Sequence, residues 1–200
     1  MHHRHGHQES DRVMRGAAAV RYDRFVARWV LPRLYRAVAA DVAAVTPPGG
    51  EVLDVGTGPG QLLVELARRR PDIGVVGVDP SEDMVRMASS RLDTMAHGRA
   101  QVHVAPAEDL SFPDASFDVV VSTLSAHHWA DPAQAFAAQA RVLRPGGQLR
   151  VYDLRSHSVE RLAEHAKAAA LEPASDAQRG LGPLAKMVVD TLVAVKPKGG

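Results

Sequence analysis

Val52-Leu53-Asp54-Val55-Gly56-Thr57-Gly58-Pro59-Gly60, followed by Val75-Val76-Gly77-Val78-Asp79-Pro80, is the stretch that decides the fold. A short apolar run ends in a glycine-rich turn, a helix follows, and a second apolar run ends in an acid. This is the pattern of a strand–turn–helix–strand unit. Gly56, Gly58 and Gly60 let the backbone turn sharply and let a ligand approach bare main chain, with Thr57 between them. Asp79 ends the second strand where a ribose would lie. Its carboxylate, an acceptor only when ionised, suits a pair of hydroxyls.

The ligand class follows from the details. A dinucleotide fingerprint asks for G-x-G-x-x-G, but Gln61 stands where the last glycine would fall, and the third glycine is Gly60. Asp54 lies just before the turn. A carboxylate there repels a pyrophosphate, which wants helix N–H groups and positive potential. It suits a ligand with a cationic amino acid end and no phosphate, and S-adenosylmethionine is such a ligand. Asp54 is expected to orient its amino group, directly or through water. Pro80 and Met84 are candidates for an apolar wall against the adenine, and Met84 fits equally well in the core.

With these two segments go Ala107-Glu108-Asp109-Leu110-Ser111-Phe112-Pro113-Asp114-Ala115-Ser116-Phe117-Asp118-Val119-Val120-Val121-Ser122 and Arg141-Val142-Leu143-Arg144-Pro145-Gly146-Gly147. Over residues 20–155 the chain resembles the class I S-adenosylmethionine-dependent methyltransferases, in particular their small-molecule, ubiquinone-biosynthesis-like branch. The resemblance implies a doubly wound, mostly parallel α/β sheet of Rossmann-like type with an N-terminal helical lid. It implies S-adenosyl-L-methionine as cofactor and a small-molecule methyl acceptor. Family members often carry Asp-Ala where this chain has Pro106-Ala107. Pro106 cannot hold the adenine amino group and has no N–H, so the Ala107 N–H and Glu108 are the candidates to replace it. Ser122 ends the fourth strand near the methyl group.

Two hundred residues suit one domain with a substantial core. The reading divides them into a polar tail over 1–12, a helical lid over 13–46, a cofactor-binding core over 51–155 and a C-terminal helix and strand over 156–200. Lysine and arginine number 24 against 23 acids, which gives no polyanion-binding signature, so no nucleic acid partner is expected. The absence of cysteine excludes disulfides, zinc–thiolate sites and cysteine nucleophiles. No metal is expected: Ser122 stands where metal-dependent catechol-type enzymes place an acidic ligand, and the histidines of the tail read as a polar terminus. No apolar run is long enough to span a membrane, and the N-terminus lacks a secretory core. A cytoplasmic monomer or weak dimer is the expectation.

Helical spacing runs through 14–45, with Leu34, Val38, Val42 and Val45 on one face and Pro32 dividing the stretch. Tyr22, Phe25 and Trp29 either pack on the sheet or, in the case of Tyr22, touch the methionine end of the cofactor. Helices are expected over Gln61–Arg70, with Leu62, Leu63, Leu66 and Ala67 inward, and after Ser81 as cap, with Met84, Met87, Ala88, Leu92 and Met95 as the buried stripe. Strands are expected at Gln101–Val104, Phe117–Leu124 and Gln148–Leu154. Asp131-Pro132 opens a helix with Phe136, Ala137 and Ala140 inward. Ser158–Leu171 reads as a helix and Met187–Val195 as a strand, with a weak partner near Ala174–Arg179.

Ser125-Ala126-His127-His128-Trp129 follows the fourth strand at the carboxyl edge of the sheet, where open α/β proteins place ligands. His127 and His128 are the candidate catalytic bases, since imidazole titrates at about 6.5 and accepts a proton from a hydroxyl or amine. Both also read as packing residues, because in-line methyl transfer can run on alignment alone. The loop lacks the Asn/Asp-Pro-Pro-Tyr/Phe motif of nucleic-acid amino methylation. Two other readings share these residues: an NAD-dependent oxidoreductase, and a methyltransferase-like protein that binds the cofactor without catalysis.

Overall fold

The computed structural model describes residues 30–94, 99–155, 159–174 and 189–198. The polar tail and the aromatic residues Tyr22, Phe25 and Trp29 lie outside the described residues. So do Met95 and most of the strand partner expected near Ala174–Arg179.

The elements in chain order are α1 (Leu31–Val45), β1 (Glu51–Val55), α2 (Gln61–Arg69), β2 (Gly74–Asp79), α3 (Glu82–Asp93), β3 (Ala100–Val104), β4 (Phe117–Thr123), a 3-10 turn (Ala126–His128), α4 (Pro132–Val142), β5 (Leu143–Leu154), α5 (Val159–Ala168), β6 (Glu172–Pro173) and β7 (Val189–Val195). They build one sheet of order β3-β2-β1-β4-β5-β7-β6. The first five strands run parallel, and β7 runs antiparallel between β5 and β6. Apolar runs alternating with helices dictate this arrangement, because each crossover lays a helix on the sheet and buries both faces.

Alternation along each strand sorts the core into two layers. Val52, Val75, Val119 and Val121 pack beneath Leu34 and Val38 of α1, Leu62 and Leu66 of α2 and Leu92 of α3. Leu53, Val55, Val78, Val120 and Val151 face Phe136 and Ala140 of α4 and Ala166 of α5. Leu62, Leu63 and Leu66 are fully buried, and each such burial contributes about 1.5–3 kcal/mol.

The helix starts are written in the sequence. The Ser81 hydroxyl accepts from the Met84 N–H, and Glu82 and Asp83 sit in the positive first turn of α3. The Asp131 carboxylate accepts from the Gln134 N–H at 3.0 Å, and Pro132 takes the first turn of α4, where its missing N–H costs nothing. Pro32 likewise sits in the first turn of α1.

A buried polar link ties α1 to the sheet. Arg150 of β5 donates to the Asp41 carboxylate at 2.6 and 3.1 Å, and the Tyr152 hydroxyl donates to the same oxygen. The remaining guanidinium nitrogen of Arg150, Nη1, donates to Gln148 Oε1. Burial pushes the Tyr152 hydroxyl well above its ordinary value.

Three expectations are corrected. Met84 and Met87 are 37% and 47% exposed, so of the described members of the expected α3 stripe only Ala88 and Leu92 are buried. The reason is position: α3 lies over the edge strand β3, and no further layer covers it among the described residues. Ala137 points outward, and Gln139 takes the inward place in α4. Strand β5 begins at Leu143 rather than Gln148, with a shift of register between Phe117 and Val119 where Pro145-Gly146-Gly147 bulges. The described partner of β7 is Glu172–Pro173, just before the expected segment, and the Ala174 N–H still reaches the Val193 carbonyl.

Candidate active site

The glycine turn sits at the carboxyl ends of β1 and β2. The Gly56 and Thr57 N–H groups both donate to the Val78 carbonyl at 2.9 Å, which folds the turn over the end of β2. The Gly58 N–H donates to Asp79 Oδ2 at 2.8 Å, and the Ser81 N–H donates to Asp79 Oδ1 at 2.9 Å. Asp79 is thus both the lock of the turn and the brace of the α3 start. Beneath the turn, the Thr57 hydroxyl donates to Asp54 Oδ2 at 2.7 Å. Asp54, Gly56, Thr57, Gly58 and Asp79 therefore form one constellation.

The three glycines have different work. All have positive φ. A side-chain carbon on Gly56 would strike the Ser125 hydroxyl, and one on Gly60 would lie 2.8 Å from the Ala88 methyl. These two make room for protein, one for the loop after β4 and one for α3. A carbon on Gly58, at φ +52°, would meet nothing within 4 Å among the described residues. Gly58 is the one of the three whose missing side chain opens onto space.

The electrostatics separate the candidate ligands. Asp54 is 2% exposed. Burial, with a smaller push from the Asp79 charge, drives its pKa up to about 7 against the pull of the Thr57 hydroxyl. Tyr35 of α1 lies within reach of the Asp54 charge, and burial together with Asp54 pushes its hydroxyl up to about 12. Two carboxyl groups at one turn disfavour a pyrophosphate. An ammonium group above Asp54 supplies the missing positive charge, and hydroxyls find lone pairs on Asp79. The residues present fit S-adenosylmethionine. Tyr35 was not singled out by sequence, because at helix spacing it reads as one more packing residue.

The residues expected at the adenine are more tightly tied to the fold than the sequence suggests. Glu108 Oε1 accepts from the Asp131 N–H at 3.1 Å, so this carboxylate braces the start of α4. Ala107 is buried beside Leu110, while Pro80 is exposed next to Asp79. The exposure of Met84 puts its side chain at the surface, outside the core. Ser122 is fully buried at the end of β4, and its hydroxyl has no hydrogen-bond partner among the described residues.

The two histidines part company. His128 is exposed. The His127 Nδ1 lies 2.6 Å from Asp153 Oδ1, and the His127 main-chain N–H donates to Asp153 Oδ2 at 2.8 Å. Asp153, near the end of β5, is 1% exposed. It also accepts from the Leu154 N–H at 2.8 Å. Sequence reasoning missed Asp153. The available signal was an acid in an otherwise apolar strand run, Val151-Tyr152-Asp153-Leu154, at the edge where ligands bind. A cavity of about 170 Å³ opens beside this pair, lined by Trp129, Pro132, Leu162, Arg161 and His165. Ser125, seated against Gly56, joins the histidine turn to the glycine turn, so the two halves of the site are neighbours.

Residues 53–151 match the model of a family described as a methyltransferase domain. The chain is 39% identical over 102 residues to the ubiquinone/menaquinone biosynthesis C-methyltransferase UbiE of Geobacter sulfurreducens, covering 50% of this chain and 40% of that protein. It is 39% identical over 106 residues to the 27-O-demethylrifamycin SV methyltransferase of Amycolatopsis mediterranei, covering 52% and 39%. The chain thus spans about two fifths of the length of these curated relatives. Its fold is similar to that of a SAM dependent methyltransferase from Aquifex aeolicus, with a TM-score of 0.72 at 17% identity over 88% of this chain and 97% of that one. No helix among the described residues is long and apolar enough to cross a membrane. The glycine turn with its two carboxylates, the strand order and these relatives agree, and the chain belongs to the class I S-adenosylmethionine-dependent methyltransferases.

Proposed function

We propose that this chain transfers the methyl group of S-adenosylmethionine to a small-molecule acceptor. The observation that carries the reading is the opening at Gly58, with its N–H locked on Asp79 and the buried Asp54 beneath the turn. In this reading Asp79 receives the ribose hydroxyls, Asp54 and Tyr35 attend the ammonium group, and Pro80 and Met84 wall the adenine. Ala107 and Glu108 shape the adenine end in place of the aspartate that Pro106 replaces. Ser122 and the turn carrying His127 stand at the methyl end. The cofactor supplies an electrophilic methyl carbon on a sulfonium. The chain's own work is to hold the acceptor in line with that bond and keep water out.

The small cavity next to His127 favours an acceptor whose reacting part is compact and partly apolar, since ordinary ligand pockets run to roughly 300–1,000 Å³. Calorimetry with adenosylhomocysteine and with NAD tests the assignment. Wild type should bind adenosylhomocysteine. Gly58→Val should abolish that binding with far-ultraviolet circular dichroism near native, because a β-branched residue disfavours the left-handed region and fills the opening. Tight NAD binding with no response to adenosylhomocysteine would overturn the proposal.

A further inference from the structure

Three helices each turn one stripe toward a single cavity of about 290 Å³. Gln61, Val64, Glu65 and Arg68 recur at helical spacing along α2, Arg91 and Thr94 do so at the end of α3, and Pro32 and Tyr35 at the start of α1. The cavity lies on the α1–α3 side of the sheet, where Tyr35 and Val64 pack against the layer of Val52 and Val119. The cavity beside His127 lies on the other side, where Trp129 and Leu162 pack against the layer of Leu53 and Val120. The two are separate.

Charge sets this cavity apart from an ordinary surface groove. Arg70, Arg86, Arg99, Arg141, Arg144 and Arg150 each meet a carboxylate. The guanidinium groups of Arg68 and Arg91 have neither an ion pair nor a hydrogen bond among the described residues, and both line this one cavity. Glu65 is the one acid among its described lining residues, so two fixed cations face one anion. Both arginines sit in the last turn of their helices, where a cation offsets the macrodipole. That accounts for a base at each place, but not for two uncompensated guanidinium groups on one cavity. Helical side chains lean back toward the N-terminus, which takes a long cation off the terminal carbonyls that would repel an anion.

We propose that the cavity between α1, α2 and α3 binds a small phosphate monoester with an apolar body, its phosphate on Arg68 and Arg91. Nothing in this site depends on methyl transfer. A guanidinium fork matches the oxygens of phosphate and carboxylate alike. A phosphate monoester brings two negative charges and three free oxygens, enough for both arginines at once, whereas a lone carboxylate brings one charge. The Gln61 amide and the Tyr35 hydroxyl add donors, and Pro32, Val64 and the Tyr35 ring supply apolar wall. The volume exceeds what a bare oxyanion fills and stands at the low end of small-molecule pockets, which run to roughly 300–1,000 Å³.

Phenyl phosphate titrated into nitrogen-15-labelled full-length protein at about pH 8, where the monoester is a dianion, tests the site. Amide resonances of Val64, Arg68, Arg91 and Thr94 should shift and saturate, while those of His127 and Leu162 stay in place. Shifts confined to the His127 cavity, or shifts that never saturate, overturn the proposal. Arg68→Gln and Arg91→Gln should each weaken binding about tenfold. Arg69→Gln is the control, because Arg69 is likewise exposed but does not line the cavity. An equal loss in all three variants would reduce the binding to diffuse attraction by surface charge and overturn the site. Glu65→Gln should tighten binding, a gain that no folding defect can mimic, and a loss there counts against the charge argument. Inorganic phosphate should bind at least about fivefold more weakly than phenyl phosphate, since it leaves the apolar wall wet. Equal binding of the two overturns the apolar body.

Discussion

Replacing Asp54 by asparagine should make the protein more stable at mildly alkaline pH while impairing the site. In the folded chain burial raises the Asp54 pKa from 3.8 to about 7. A carboxyl group with a raised folded pKa stabilises the fold fully below its unfolded value and loses that contribution as pH rises through the folded value. The window therefore runs from about pH 4 to about pH 7. One unit corresponds to about 1.36 kcal/mol, so the whole window is worth about 4 kcal/mol and the part above about pH 5 about 3 kcal/mol. The asparagine amide stays neutral throughout, and its carbonyl still accepts from the Thr57 hydroxyl. Urea unfolding of wild type and Asp54→Asn at about pH 5 and about pH 8 isolates the effect, because other titrations cancel in the difference. The stability difference should move toward the variant by about 3 kcal/mol between the two conditions. A movement below about 0.5 kcal/mol would refute the argument that this carboxyl is buried without a compensating cation. The same logic makes ligand binding a proton-releasing event near neutrality, since an ammonium group restores the charged form. Binding heats measured in two buffers of different ionisation enthalpy should differ for wild type and coincide for the variant.

Asp79→Ala removes the acceptor for both the Gly58 and Ser81 N–H groups. It should cost about 3–6 kcal/mol in urea unfolding, at about 1.5–3 kcal/mol for each of the two hydrogen bonds to a charged group, and weaken adenosylhomocysteine at least about tenfold. Unchanged values for both would reduce Asp79 to an ordinary strand end. Asp41→Ala strips the Arg150 guanidinium of its carboxylate in the core and should cost about 3–5 kcal/mol. The double replacement of Asp41 and Arg150 by leucine should cost less than the single one, which denaturant midpoints will decide.

The core unit was legible because its signals are local. Val52–Gly60 and Val75–Asp79 each announce a strand and its end, and Ser81 and Asp131 name the starts of their helices within three residues. What escaped the sequence depends on which elements meet. Asp153 and His127 lie 26 residues apart and join only because β4 and β5 end side by side. Arg150 and Asp41 lie 109 residues apart. Periodicity showed that α3 has an apolar stripe, but not that Met84 and Met87 would find no neighbouring layer among the described residues. The glycine pattern showed a turn, but only the packing of Ser125 and Ala88 shows which glycines make room for the protein and which has no neighbour within 4 Å among the described residues.

The placement of β7 between β5 and β6 has a consequence for biosynthesis. The edge of β5 is finished when Leu154 is made, yet its antiparallel partner begins only at Val189. At about 5–20 residues per second, a ribosome takes roughly 2–7 s to cover that interval. Throughout it, the nascent sheet presents the unpaired main chain of β5 next to Leu149 and Val151. Such an edge invites pairing with a neighbouring chain on the same message. A codon-slowed stretch between these strands would lengthen the exposure, and the yield of native protein should fall with it, although the amino-acid sequence would be unchanged.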